Sequence, residues 1–184
     1  MNQTVLVRYG AISEVARFCN ASGKMLRRGE SVVLQTHRGI ECGVLLEDAA
    51  QAEEQRFADA DLETSAAVTQ ILRISTEEDR RAYASLKSNC EEQFAVWQER
   101  IRAWSLQLEL IDIERTLDET KLILYVLNDR GPECTRLALL AAAAGLGIVE
   151  VQSVGADGLV TVPTGGGCGS GGCGSGGGSD GCCH

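Results

Sequence analysis

Cations are scarce in this chain. Its 184 residues carry 17 Lys and Arg against 26 Asp and Glu, a net charge of −9. Nucleic-acid binding is mostly neutralisation of phosphates by clustered cations, so this balance argues against strong direct nucleic-acid binding. The deficit is uneven. Residues 1–48 hold six basic and five acidic side chains, and Arg8, Arg17, Lys24, Arg27, Arg28 and Arg38 are the only ones there that could form a modest basic face. Residues 49–163 hold eleven basic against twenty acidic, which reads as a solvated acidic surface. Histidine is scarcer still: there are two, neither beside a plausible nucleophile, and His37 reads as an exposed turn residue. A phosphate loop of the form Gly-x-x-x-x-Gly-Lys and a Gly-x-Ser-x-Gly elbow are both missing. Gly145-Leu146-Gly147 precedes a strand pattern, so it marks a helix end and not a dinucleotide fingerprint. These absences point away from an enzyme. No eighteen apolar residues run together, and MNQTVLVRYG has no basic stretch leading into an apolar one. The expectation is a cytoplasmic protein without membrane insertion, in which eight cysteines are thiols or metal ligands and not a disulfide frame.

What is present falls into four parts. Within residues 1–48, the runs TVLVRY, ISEVARF, SVVLQT and IECGVLL are rich in Val, Ile and Leu and are separated by turn signals. The last two flank His37-Arg38-Gly39, whose glycine supplies the positive φ that a tight hairpin needs. Four or five strands in so short a segment predict a small SH3-like β-barrel. Residues 49–65 are alanine-rich and acidic and read as a linker.

Residues 66–155 begin with AVTQILRIS, a strand pattern. Thr76 then caps a long helix, with Glu77, Glu78 and Asp79 placing negative charge on its first turn. Tyr83, Leu86, Cys90, Phe94, Trp97, Ile101 and Trp104 recur at steps of three and four and so share one face. Two alternating runs around residues 117–120 predict a hairpin. Gly131-Pro132 opens a second helix that stops at Gly145, and residues 148–154 form a last strand. Strand, helix, strand, strand, helix, strand is the order of a ferredoxin-like βαββαβ sandwich. The predicted class is therefore α+β, a barrel followed by that sandwich. By the same reading Cys134 lies on the inner face of the second helix, Cys42 in a strand and Cys19 in a loop.

Residues 156–184 form a Gly/Ser/Cys-rich tail. Residues 164–184 hold eleven of the chain's 21 glycines and four of its eight cysteines, Cys168, Cys173, Cys182 and Cys183. With no large apolar residue the run cannot offset the entropy of ordering its backbone, which predicts disorder unless a metal or cluster organises it. The four thiols and His184 suffice for one zinc or one iron–sulfur cluster. A bond between Cys182 and Cys183 is disfavoured, because adjacent Cα atoms lie about 3.8 Å apart and disulfides prefer about 4.4–6.8 Å.

QTHRGIECGVLLE at 35–47 resembles the Glu-Thr-x-Arg-Gly-Ile-Glu-x-Gly-x-Val hairpin of the PSP-one C-terminal domain family, and of its RicT (YaaT)-like bacterial branch in particular. The resemblance continues through Cys90 in the long helix, KLILYVL at 121–127 and IVEVQSVG at 148–155. It implies a non-catalytic regulatory adaptor that carries an iron–sulfur cluster and modulates an RNA-processing complex. The implied partners are small helical subunits and an endoribonuclease. The family's cysteine blocks map onto Cys168, Cys173, Cys182 and Cys183. Gly174 and Gly177 stand where two further cysteines would fall. Cys90 sits on the aromatic stripe, where a buried thiol is expected, yet family members also carry a cysteine there, so it joins the candidate ligands with His184. Two alternatives stand beside this one: a zinc-binding or thiol-redox tail protein, and a plain interaction module with a metal-free tail.

Overall fold

A computed structural model describes residues 4–48, 69–127, 131–156 and 158–160. The acidic linker at 49–65 and the tail cysteines lie outside the described residues.

Five strands close into a barrel: β1 (Thr4–Tyr9), β2 (Glu14–Asn20), β3 (Ser31–Gln35), β4 (Ile40–Leu45) and β5 (Gln70–Ile74), in the order β1-β2-β5-β3-β4. Alternation along β1 sends Val5, Val7 and Tyr9 inward. They meet Phe18, Leu26, Val32, Leu34, Leu45 and Ile71 in one apolar cluster. Gly43 of β4 lies where the barrel is tightest: a Cβ there would come within 2.6 Å of Val7 Cγ1 and 2.7 Å of Leu34 Cδ1.

The barrel corrects the expected sandwich. β5 is the strand that a βαββαβ order would place in the second sheet. Instead it pairs in parallel with β2 (Cys19 opposite Gln70) and antiparallel with β3, and Ile71 is fully buried in the barrel cluster. Cys19 is likewise a residue of β2 and not of a loop.

Helix α1 (Glu77–Ala103) follows β5 directly. Thr76 accepts from the Asp79 amide while the Asp79 carboxylate accepts from the Thr76 amide, a complete capping box. Then come β6 (Glu109–Arg115), β7 (Lys121–Leu127), α2 (Pro132–Ala143), β8 (Ile148–Gly155) and the short β9 (Gly158–Leu159). The sheet order is β6-β7-β8-β9, with β7 and β8 parallel and the other pairs antiparallel. Pro132 opens α2, and Gly145, at φ 71°, lies just past its end.

Both helices pack on one face of this sheet. Cys90, Trp97 and Ile101 of α1 and Cys134, Leu137 and Ala141 of α2 share a cluster with Leu110, Ile113, Leu122, Leu124 and Val126. The aromatic stripe therefore does what its spacing predicts. Cys134 Sγ lies 3.5 Å from Ser153 Oγ on the same face. No helix among the described residues is long and apolar enough to cross a membrane.

Candidate functional site at the barrel–helix joint

The two apolar clusters are separate, and polar side chains join the units that hold them. The turn between β3 and β4 supplies most of them. Gly39, at φ 145°, lets the chain reverse tightly, leaving His37 exposed and Arg38 pointing inward. Arg38 was a candidate for a basic surface; it is 1% exposed and does not belong to one. Its Nη2 and Nε contact the two oxygens of Glu41 at 2.8 and 3.2 Å, and its Nη1 meets Glu14 Oε1 at 2.8 Å. Nη1 also donates to Tyr125 Oη of β7 at 3.1 Å, and the guanidinium lies 5.2 Å from the centre of the Tyr9 ring.

Glu41 is 2% exposed and accepts a short hydrogen bond from Thr36 Oγ1. Burial pushes its carboxyl up from the ordinary range, while Arg38 and the Thr36 hydroxyl work against that. Burial equally opposes the charge of Arg38, but Glu41 first, then Tyr125 and Glu14, hold its pKa above the ordinary arginine value. The contacts between the two side chains favour the ionised pair against that burial.

The network extends into the second sheet. Tyr125 Oη donates to Glu114 Oε2 at 2.7 Å, and the same oxygen accepts from the Ala11 amide at 2.9 Å. The Leu117 amide donates to the Ile40 carbonyl at 2.7 Å, and Lys121 Nζ to the His37 carbonyl at 3.4 Å. Gly10 fits beside this hub at φ 74°; a Cβ there would lie 3.0 Å from Arg38 Nη2. The hairpin Thr36–Gly43 is thus a rivet between barrel and sheet.

Two cavities flank the rivet, on either side of Tyr83 of α1. One, of about 220 Å³, is lined by Arg8, Ser13, Ser31, Ser75, Arg80 and Tyr83 among others. Its floor is a row across three strands, because Arg8 and Ser31 both pair with Val44 and paired residues share a face. The Ser75 amide donates to the Ser31 carbonyl at 2.8 Å, which brings the start of α1 against the row. Cys42 also lines it, and burial pushes its thiol up to about 11, so it is uncharged at neutral pH. The other cavity, of about 440 Å³, mixes charges of both signs, among them Lys87, Glu91, Asp112 and Arg115, with Cys90 in its wall.

Among the candidate metal ligands, only Cys90 is described. It is 4% exposed, and burial pushes its thiol pKa up. Among the described residues no three His, Cys, Asp or Glu side chains converge to hold a metal ion. Cys168, Cys173, Cys182, Cys183 and His184 lie outside the described residues. The rivet itself was missed by sequence reasoning, which took Arg38 for a surface cation.

Residues 69–130 match the PSP1 C-terminal conserved region. That stretch takes in β5, the whole of α1, β6 and β7, so it spans both the strand that closes the barrel and the helix that packs the sheet. Cys90 and KLILYVL lie inside the PSP1 match; the hairpin at 35–47 lies outside it. The two are joined physically, through Arg38 to Tyr125 and Glu114. No curated protein and no solved structure matches the chain.

Proposed function

We propose that this protein is a non-catalytic regulatory adaptor of the cytoplasm. It acts through protein partners and carries an iron–sulfur cluster on its cysteine tail. The observation that carries the reading is the PSP1 region at residues 69–130, which points to a regulatory or interaction role. The finer statements rest on the RicT-like resemblance: an RNA-processing complex as the target, and small helical subunits and an endoribonuclease as partners. The net charge of −9 favours action through proteins over direct grip on RNA.

The donor set suits the cofactor. Cys168, Cys173, Cys182 and Cys183 offer four thiolates, enough for one cluster, and cluster iron is held by such ligands. Bound there, the cluster would make the adaptor responsive to oxidation or iron supply. His184 beside two thiols favours zinc as the second reading, since nitrogen and sulfur donors together suit that ion.

Anaerobic purification of the full chain, with iron, sulfide and zinc measured per chain, tests the proposal. Iron with sulfide is expected. Each of Cys168→Ser, Cys173→Ser, Cys182→Ser and Cys183→Ser should lower it, and Cys90→Ser should leave it unchanged. Zinc in a colourless protein would replace the cluster reading by the zinc one. A metal-free chain, or four variants with unaltered metal, would leave only a plain interaction module.

A further inference from the structure

The smaller cavity is unusual for so acidic a protein. Two arginines line it, and among the described residues no carboxylate does. Three acids on the surrounding elements are already engaged, Asp79 with Arg73, Glu77 with Arg80 and Arg81, and Glu14 with Arg38, and Glu78 is exposed and does not line the cavity. Arg8 has no ion pair among the described residues. Arg80 donates from Nε and Nη2 to Glu77 at 3.1 and 2.7 Å and from Nη1 to the Ser75 carbonyl at 3.2 Å. A guanidinium has five N–H donors, so two remain.

Ser75 supplies an independent observation. It is 5% exposed, it lines the cavity, and its Oγ has no hydrogen-bond partner. A buried hydroxyl left without a partner costs about 1–3 kcal/mol, a cost that a ligand oxygen beside it would offset. Ser13, Ser31 and Tyr83, each carrying a hydroxyl, line the same space. Arginines with clustered hydroxyls are the donor set that recognises phosphate oxygens. Val44, the uncharged Cys42 and Tyr83 give the same space an apolar side. At about 220 Å³ the space falls below the roughly 300–1,000 Å³ of drug-sized ligand sites.

We infer that this cavity, between the outer face of β1, β4 and β3 and the start of α1, binds a small phosphate monoester. The phosphoryl group lies between Arg8 and Arg80 with the serine hydroxyls around it, and a compact apolar body rests against Tyr83 and Val44. Occupancy would tie the first turns of α1 to the barrel wall, at the joint between the two units.

The test is an amide-shift NMR titration of the full 19.6 kDa chain at pH 7.5. Phenyl phosphate, inorganic phosphate and phenol are the probes, at matched ionic strength. Phenyl phosphate should give saturable shifts centred on Ser31, Ser75 and Tyr83. Inorganic phosphate should bind the same amides more weakly, and phenol should not saturate. Arg8→Gln should weaken phenyl phosphate about tenfold, equivalent to about 1.4 kcal/mol, and Arg80→Gln by at least as much. Ser75→Ala should weaken it about threefold while leaving the melting temperature equal or higher, because the hydroxyl it removes has no partner in the chain. Arg8 is exposed on a strand, so its variant stays informative if Arg80→Gln does not fold. Absence of saturable shifts, parent-like affinity in both arginine variants, or phenol binding as tightly as phenyl phosphate would overturn the assignment.

Discussion

Replacing Arg38 by Met should uncouple the two units. The side chain is 1% exposed and neutralises Glu41, itself 2% exposed, while reaching Glu14 and Tyr125. Removing one partner of a buried ion pair costs about 3–5 kcal/mol, because the other charge stays buried and unpaired. That is a large share of the roughly 5–15 kcal/mol by which such domains are stable. Apart from Tyr9, the two apolar clusters contain none of the joint's side chains, so much of the loss should fall on the connection between the units. Urea unfolding followed by tryptophan fluorescence reads one side, since Trp97 and Trp104 both belong to the second cluster. Amide exchange at Val7 and Leu34 reads the barrel. In the parent chain the two probes should give one transition; in Arg38→Met they should separate, with a total loss of about 3–5 kcal/mol. Adding Glu41→Leu to Arg38→Met should restore at least about 1 kcal/mol, because residues in one ion-pair network couple by about 0.5–3 kcal/mol. A loss below about 1 kcal/mol with coincident probes would refute the rivet, since that is the value of an exposed pair.

Gly43→Ala should cost about 1–3 kcal/mol by urea denaturation, as overpacking does, because its Cβ would clash with Val7 and Leu34 in a closed barrel; a neutral substitution would show that the barrel is looser than its register implies. Asp79 is held down to about 2 by the hydrogen bonds of Arg73, and also by those of Thr76. A carboxylate with a depressed folded pKa contributes stability above its ordinary value and loses it as pH falls through the folded one. Stability should therefore drop by about 1–2 kcal/mol between about pH 4 and pH 2, a figure discounted because Arg73 is half exposed. Asp79→Asn should remove that acid limb from a pH–melting profile, and an unchanged profile would contradict the assignment. Cys134→Ser should cost less than about 1 kcal/mol in thermal unfolding, since Ser153 Oγ stands ready as its partner; a larger loss would mean that the two side chains do not bond.

Much of this fold is legible along the chain because its signals are local. Thr76 with Asp79 three residues on is a capping box, the stripe from Tyr83 to Trp104 has helical spacing, and Gly131-Pro132 and Gly145 bracket α2. The allegiance of β5 has no local signal. Its alternation would suit either sheet, and its parallel partner β2 lies across some fifty residues of chain, so tertiary pairing alone assigns it. The rivet is different, because strand parity reaches it. Glu41, Gly43 and Leu45 alternate with half-buried neighbours along β4, so placing Leu45 in the barrel also places Glu41 inside. A carboxylate on an inward face must find a cation or leave its charge unpaired. Arg38, three residues earlier across a turn that Gly39 makes tight, is within reach, and an inward Glu41 therefore already requires that Arg38 turn its back on solvent.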